Sequence, residues 1–194
     1  MPTLPSRILC VALLSALSLI GSTFVGAGIS QADASDAAPA STAPAIVVPL
    51  SASSASTAFE KEVLALVNKA RSAKRKCGGK TYAKAKALKW NGKLALAAEL
   101  HSSDMSTRNY FSHTGANGKS AGARIKAAGY KYKAMGETLA AGHATPKAVV
   151  NAWLKSTAHC KILMSKSYTQ LGVGYSTGQG KYIHYTTANF GKPK

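Results

Sequence analysis

The chain has 194 residues and carries 25 lysines and arginines against seven aspartates and glutamates, a formal net charge of +18 at pH 7. This length suits one domain with appended segments. The excess positive charge indicates polyanionic partners. Its basic region lacks the interleaved aromatic residues of single-strand binders, however, so nucleic acid is disfavoured as a partner.

The N-terminal segment has the pattern of a secretory signal peptide. After a short start with one arginine, the run from Ile8 to Val25 is almost wholly apolar, and small residues follow it. We interpret residues 1–32 as a cleaved signal and expect a secreted, extracellular protein, with association to the cell envelope as a further option. An uncleaved membrane anchor is the alternative, because the apolar run is at the lower edge of the length that spans a bilayer.

Residues 33–57 are rich in Ala, Ser, Thr and Pro and have two aspartates as their only charged residues. Such a composition buries little apolar surface, so we interpret this stretch as a linker. The remaining residues, 58–194, are enough for one sizeable core. They hold 24 of the 25 cations and five of the seven acids, a balance of 24 − 5 = +19.

The positive charge is densest in the first half of this domain. Ten basic residues and no acid lie between Val63 and Ala98. We predict that the segment from Lys74 to Lys93 forms a face that binds anionic envelope polymers or lipids. A surface that serves only solubility is the alternative.

Hydrophobic periodicity predicts four helices and three strands in the domain. Helices are expected over 59–70, with Gly78-Gly79 as the stop signal, from near Asn91 to 105, over 121–128, and from Thr145-Pro146 onward. Strands are expected within 132–141 and on both sides of the glycine-rich turn STGQG. The pattern indicates an α+β fold in which helices surround a small, mostly antiparallel sheet.

Two cysteines, Cys77 and Cys160, remain once the signal segment is set aside. They have neither CxxC spacing nor a histidine at metal-finger spacing. Because exported chains meet oxidising conditions, a disulfide is the simplest interpretation, and two free thiols are the alternative.

A few polar residues are candidates for a site. His101 and Asp104 lie three apart on a predicted helix and can touch, as a general base with its acid or as a plain polar pair. His113 follows that helix in a polar turn, and His159 comes just past the Trp153 helix. Glu137 is an isolated acid in an apolar strand and needs a partner if it is buried. No nucleophile is marked.

We expect His113, Glu137 and His159 to converge in one cleft, with His101 behind them on its helix. A carboxylate that faces two imidazoles favours their protonated forms. Without a metal, the cleft histidines are therefore expected to titrate above the free value of about 6.5.

A series of motifs runs through the domain in the order LVNKAR, LALAAELHSSDM, YFSH, GARIKAAGY, GETLAAG, TPKAVVNAWLKSTAH and LGVGY, before a terminal ANFG. It covers nearly all of residues 60–191. The series resembles the bacterial branch of the CAP superfamily, which takes in cysteine-rich secretory proteins, wasp antigen 5 and plant pathogenesis-related proteins. The resemblance implies a three-layer α-β-α sandwich with a cleft lined by histidines and glutamates.

Matched motif by motif, the resemblance assigns His113 of YFSH, Glu137 of GET, His159 and the HSxDM histidine, His101, to this cleft. Other positions depart from the family pattern. Thr138 stands where the family usually has Asn, and Ser156 and Ser167 replace cleft residues of eukaryotic members. The four-residue eukaryotic cleft is not reproduced, so no cofactor is expected. His113 and His159 are the ligands for a divalent metal such as zinc, if one binds.

Three functions are compatible with these observations. The first, which we favour, is a secreted, monomeric binding module for a small apolar or lipid-like ligand and for anionic envelope components. The second is a metal-assisted hydrolase that uses His113, His159 and Glu137 in the extracellular space. The third is a structural protein held to the envelope by its charge.

Overall fold

The computed structural model describes residues 58–194, so the segments interpreted as signal peptide and linker lie outside the described residues. None of the helices described is long and apolar enough to cross a membrane. The described elements, in chain order, are α1 Ala58–Arg71, β1 Arg75–Cys77, β2 Lys80–Tyr82, β3 Lys89–Trp90, α2 Gly92–Thr107, α3 Ala121–Ala127, β4 Tyr132–Ala141, α4 Pro146–Lys155, α5 Thr157–Met164, β5 Gln170–Thr177 and β6 His184–Pro193.

The main sheet has four strands in the order β3-β5-β6-β4. Strand β6 pairs antiparallel with both β5 and β4, whereas the short β3 runs parallel to β5. Strands β1 and β2 form a separate antiparallel hairpin. Helix α2 packs on one face of the main sheet, and α1, α4 and α5 cover the other. The predicted α-β-α sandwich is therefore confirmed.

The two faces of β5 show why the sheet holds helices on both sides. Leu171 and Val173 are fully buried in the core shared with α1, α4 and α5. The alternate residues, Gly172 and Gly174, face α2, because successive side chains on a strand point to opposite faces. A Cβ at Gly172 would lie 2.0 Å from the backbone nitrogen of Ala95, and one at Gly174 only 2.1 Å from that of Glu99. Helix α2 therefore rests directly on the backbone of β5.

Replacement of Gly174 by alanine is expected to lower the free energy of unfolding by about 3 kcal/mol, at the upper end for overpacked cores. The new methyl group meets helix backbone, which cannot move aside as a flexible side chain would. Urea unfolding measures the loss. The matched control is Gly79→Ala, since a Cβ there meets nothing within 4 Å and is expected to change stability by less than about 0.5 kcal/mol. Equal stability of the two variants would contradict the close approach of α2.

Helix α1 ends at Arg71, so the prediction that Gly78-Gly79 stops it is wrong. Those glycines instead form the tight turn between β1 and β2, where Gly78 has a φ of +64°. Such a turn favours residues that tolerate positive φ. His159, expected just past a helix, lies inside α5, for which Ser156 is the N-cap.

Cys77 at the end of β1 is bonded to Cys160 in α5, with the two Cα atoms 5.5 Å apart. Both residues are buried and pack with Met164. The disulfide inferred from the sequence is therefore present, and it fixes the β1–β2 hairpin to α5.

Arg71 is a buried cation that ties three segments together. Its Nε donates to the carbonyl of Lys86 at 3.0 Å. One terminal nitrogen donates to the carbonyls of Leu163 and Ser165, and the other to Tyr168. Burial lowers the pKa of the Arg71 guanidinium, but an arginine stays charged in proteins. Two of these carbonyls belong to the end of α5, where the helix dipole favours a positive charge.

Candidate functional site

Glu137 lies on β4, and its side chain is only 3% exposed. Both of its carboxylate oxygens are engaged. Oε1 accepts a hydrogen bond from Nδ1 of His113 at 2.8 Å, and Oε2 accepts one from a terminal nitrogen of Arg124 at 2.7 Å. A buried carboxylate needs such partners, because an unpaired charge away from water is costly.

His113 occupies the loop between α2 and α3, and its side chain is 57% exposed. Because a carboxylate can only accept, the contact with Glu137 places a proton on Nδ1 of the imidazole. In the neutral ring, Nε2 is then an acceptor. The ring of His159 lies across from it, with the centroids 6.5 Å apart. The structure thus brings His113, Glu137 and His159 into one neighbourhood.

His159 sits in the first turn of α5, where its backbone N–H faces the hydroxyl of Ser156 at 3.4 Å. Burial lowers the pKa of His159, and the charge on His113 lowers it further. The expectation that Glu137 would raise the pKa of His159 is therefore wrong. Arg124 and His113 engage the carboxylate, and desolvation dominates at His159.

His101 is 1% exposed on α2 and lies behind the cleft. Its Nε2 contacts the carbonyl of Ser112 at 2.9 Å, so it holds the residue that precedes His113. Its Nδ1 has no hydrogen-bond partner among the described residues. Burial lowers the pKa of His101, and the positive charge of Arg124 adds to that effect. The neutral form of the buried His101 ring is therefore favoured.

Asp104 is not hydrogen-bonded to His101, although the two residues are three apart on α2. It accepts instead from Arg108 at 2.9 Å and from the hydroxyl of Tyr110. Burial alone would raise the pKa of Asp104, but hydrogen bonds from Tyr110, the Ala116 amide and Arg108 outweigh it and the pKa is lowered. Burial and the contact with Asp104 raise the pKa of Tyr110 to about 12. Asp104 therefore anchors the loop rather than activating a histidine.

Arg124 on α3 is the member of this cluster that sequence reasoning missed. It donates to Glu137 and also to the carbonyls of His113 at 3.0 Å and Lys119 at 2.8 Å. Its side chain is 11% exposed. The isolated Glu137 indicated that some cation had to be near, but nothing in the sequence distinguished Arg124 among 24 candidates.

Residues Gly118 to Gly122 read GKSAG, which has the letters of the GxSxG motif. In hydrolases that motif places a nucleophilic serine on a sharp turn between a strand and a helix. Here the preceding chain is a turn, and the Ser120 hydroxyl accepts from the Ala123 amide at 3.3 Å as the N-cap of α3. Ser120 therefore starts a helix and is not placed as a nucleophile.

The lowered pKa values of His101 and His159 predict an acid-sensitive fold. Unfolded histidines titrate at about 6.5, so just below that pH the unfolded chain binds more protons than the folded one. Their contribution to stability is complete above about pH 6.5 and is lost as the pH falls toward the folded pKa values. Urea unfolding at several pH values measures this dependence. His159→Gln is expected to flatten it, and ring protons that titrate above about 6.5 in NMR would contradict it.

The fold and this cluster define a class: a three-layer α-β-α domain with a histidine–glutamate neighbourhood at the edge of its sheet. Residues 64–190 match the family model described as CAP, the cysteine-rich secretory protein family. The chain belongs to this family.

Two curated relatives are bacterial. The uncharacterized protein YkwD of Bacillus subtilis strain 168 is 36% identical over 125 residues, 64% of this chain and 45% of the relative. The uncharacterized membrane protein YlbC of the same strain is 35% identical over 103 residues, 53% of this chain and 28% of the relative. This chain therefore matches less than half of the length of each.

Solved structures show the same fold. One is an extracellular protein containing an SCP domain from Bacillus anthracis strain Ames, with a TM-score of 0.56 and 29% identity, over 69% of this chain and 40% of that one. Another is an outer surface protein of Borrelia burgdorferi, with a TM-score of 0.55 and 22% identity, over 69% and 89% of the two chains.

Proposed function

We propose that this CAP domain is a secreted binding module whose basic surface attaches it to anionic polymers of the cell envelope. The observation that carries the proposal is the charge balance of residues 58–194, with 24 cations and five acids. Even if every acid neutralised one cation, nineteen cations would remain. Such a surface attracts polyanions over distances of about a Debye length.

Three of the five acids of the domain are also poorly placed to screen this charge, and only Glu62 and Glu99 are exposed without a side-chain cation described beside them. Glu137 is buried between His113 and Arg124. Asp104 is paired with Arg108, and Glu60 is buried in α1. The surface that a partner meets is therefore dominated by lysines. The names of two structural neighbours, an extracellular protein and an outer surface protein, support an extracellular setting.

The cleft suits binding better than catalysis. With both oxygens of Glu137 engaged, the groups left for a ligand are Nε2 of His113 and the ring of His159. These groups can hydrogen-bond the polar end of a small or lipid-like molecule. The hydroxyls of Ser120 and Ser156 accept backbone N–H groups as helix caps, and among the described residues neither is hydrogen-bonded to a histidine ring.

Binding of the mature chain to immobilised poly(glycerol phosphate), with neutral dextran as the matched control, tests the proposal. We expect retention on the anionic polymer alone, with affinity falling by at least about tenfold between about 50 and 200 mM salt, as when several lysines displace counterions. Absence of binding at low salt, or binding that salt leaves unchanged, would refute the proposal.

The donor set of the cleft does not fit a metal ion well. Among the described residues, no group of three or more His, Cys, Asp or Glu side chains could hold one. Arg124 competes directly for Glu137, and its charge opposes a cation nearby. The side chains of the cleft therefore differ from the ligand set that a metal-assisted hydrolase would require.

Zinc binding is therefore expected to be far weaker than in structural zinc sites, whose binding free energies are about 10–16 kcal/mol. Calorimetric titration with zinc chloride measures it. His113→Ala should bind zinc no differently from the unmodified protein. Tight binding that His113→Ala abolishes would contradict the expectation and favour the hydrolase.

A further inference from the structure

A basic pocket of about 580 Å³ opens on the surface near the ends of α1 and α5, away from the histidine cluster. Its volume is within the range of small-molecule sites. Four of the seven residues that line it are cations and none is an acid. The lining residues are Arg71, Lys84, Ala85, Lys86, Lys166, Tyr168 and Thr169.

The two sides of this basic pocket come from separate parts of the chain. Lys84 and Lys86 lie in the irregular segment between β2 and β3, and Lys166 follows α5. Arg71 joins the two sides, because it donates to the carbonyl of Lys86 at 3.0 Å and to that of Ser165 at 2.9 Å. The pocket is thus shaped before any ligand arrives, which reduces the entropic cost of binding.

The charge inside the basic pocket has no acidic partner among its lining residues. Every hydrogen bond of Arg71 described above ends on a backbone carbonyl, so its positive charge faces no carboxylate there. The three lysines are exposed at the rim. A ligand that carries a negative charge would therefore be bound by convergent cations from both sides.

One wall of the basic pocket is aromatic and fixed. The Tyr168 hydroxyl donates to the carbonyl of Met135 at 3.1 Å, and its ring lies 5.8 Å from that of Phe190. The ring therefore offers the pocket a rigid apolar surface, on which the carbon atoms beside an anionic group can pack. The exposed Thr169 at the edge adds a hydroxyl that can hydrogen-bond a ligand oxygen.

We propose that the basic pocket binds a phosphodiester group of a polyol-phosphate polymer, with the phosphate between Lys84, Lys86 and Lys166 and the adjoining polyol carbons on Tyr168. This site rests on the proposed function: the basic surface attracts the polymer, and the pocket then binds one of its phosphate groups. A flexible polymer can lower one phosphate into a concave pocket, whereas a flat bilayer would meet only the lysines at its rim.

The test compares two variants that lose the same charge. Lys84→Gln/Lys166→Gln removes one cation from each side of the pocket. The control, Lys61→Gln/Lys181→Gln, changes exposed lysines in the first turn of α1 and in the β5–β6 connection, outside the pocket lining. Lys181 lies far from the pocket, because the eight residues of β5 span about 25 Å between Thr169 and the β5–β6 connection.

Affinity for poly(glycerol phosphate) at fixed salt should fall at least about tenfold in the pocket variant and less than about threefold in the control. In NMR titrations, glycerol 3-phosphate should shift the amides of Ala85 and Tyr168 in the unmodified protein but not in the pocket variant. Unchanged amide spectra of the variants without ligand would show that they are folded.

The possible results of these experiments distinguish a failure of the pocket proposal from a failure of the proposed function. If the unmodified protein binds no polymer, both proposals fail. Equal weakening of the two variants would leave the proposed function standing and overturn the pocket. Binding to vesicles of phosphatidylcholine and phosphatidylglycerol, with no binding of the polymer or of glycerol 3-phosphate, would also overturn it.

Discussion

Loss of the Cys77–Cys160 disulfide is expected to lower the free energy of unfolding by about 4.5 kcal/mol. The bond joins residues 83 apart in sequence, and in the chain-entropy model a loop of that size restricts the unfolded chain by about this amount. Urea unfolding of the oxidised and reduced protein, monitored by the fluorescence of Trp90 and Trp153, measures the difference.

Cys77→Ala and Cys160→Ala provide the matched pair for this experiment. Each removes the same cross-link, so their losses should agree within about 1 kcal/mol, and the double variant should lose little more than either single one. Peptide mapping without reductant should recover the linked pair. Two alkylatable thiols in the purified, secreted protein, or equal stability with and without reductant, would contradict the prediction.

Replacement of Arg71 by methionine is expected to cost about 4 kcal/mol. Methionine fills similar volume but donates no hydrogen bond, so the carbonyls of Lys86, Leu163, Ser165 and Tyr168 lose a donor. Removing one partner from a buried charged network typically costs about 3–5 kcal/mol. Urea unfolding measures the loss, and Arg71→Lys should lose less, because an ammonium group can still donate to some of the carbonyls.

Arg75→Met is the matched control for Arg71→Met. Arg75 is half-buried, and its buried Nε has no hydrogen-bond partner among the described residues. Its loss is therefore expected to cost less than about 1 kcal/mol. Equal costs at the two positions would mean that the hydrogen bonds of Arg71 contribute little to stability.

The main outline of the fold could be predicted from the sequence because its signals are local. Thr145-Pro146 begins α4 as a cap followed by proline. Strands β5 and β6 are joined through the glycine-rich STGQG, whose Ser176 and Thr177 form the end of β5. The hairpin β1–β2, the two-residue β3 and the separate α5 were not predicted. They are too short for a periodic pattern, and distant partners, such as Cys160 for β1 and Leu171 for β3, hold them in place.

The candidate site was only partly predictable. Glu137 was identifiable because an acid in an apolar strand is conspicuous, and the motif series indicated His113 and His159. The role of Arg124 depends on how α3 packs against β4, which no local pattern encodes. The lowered pKa values of His101 and His159 likewise follow from burial, a property of the assembled domain rather than of neighbouring residues in sequence.

The strand order β3-β5-β6-β4 also bears on when the domain can fold. The two strands made first, β3 and β4, lie at the edges of the sheet, and the two made last form its centre. A nascent chain that stops before Gln170 therefore has no central strand for either edge to pair with. Sheet assembly must wait for the C-terminal residues, and this late, non-local pairing is typical of slower folding. Until then the apolar faces of α1, α2 and α4 have no sheet to pack against. A chain stalled near its end therefore exposes apolar surface to which chaperones bind.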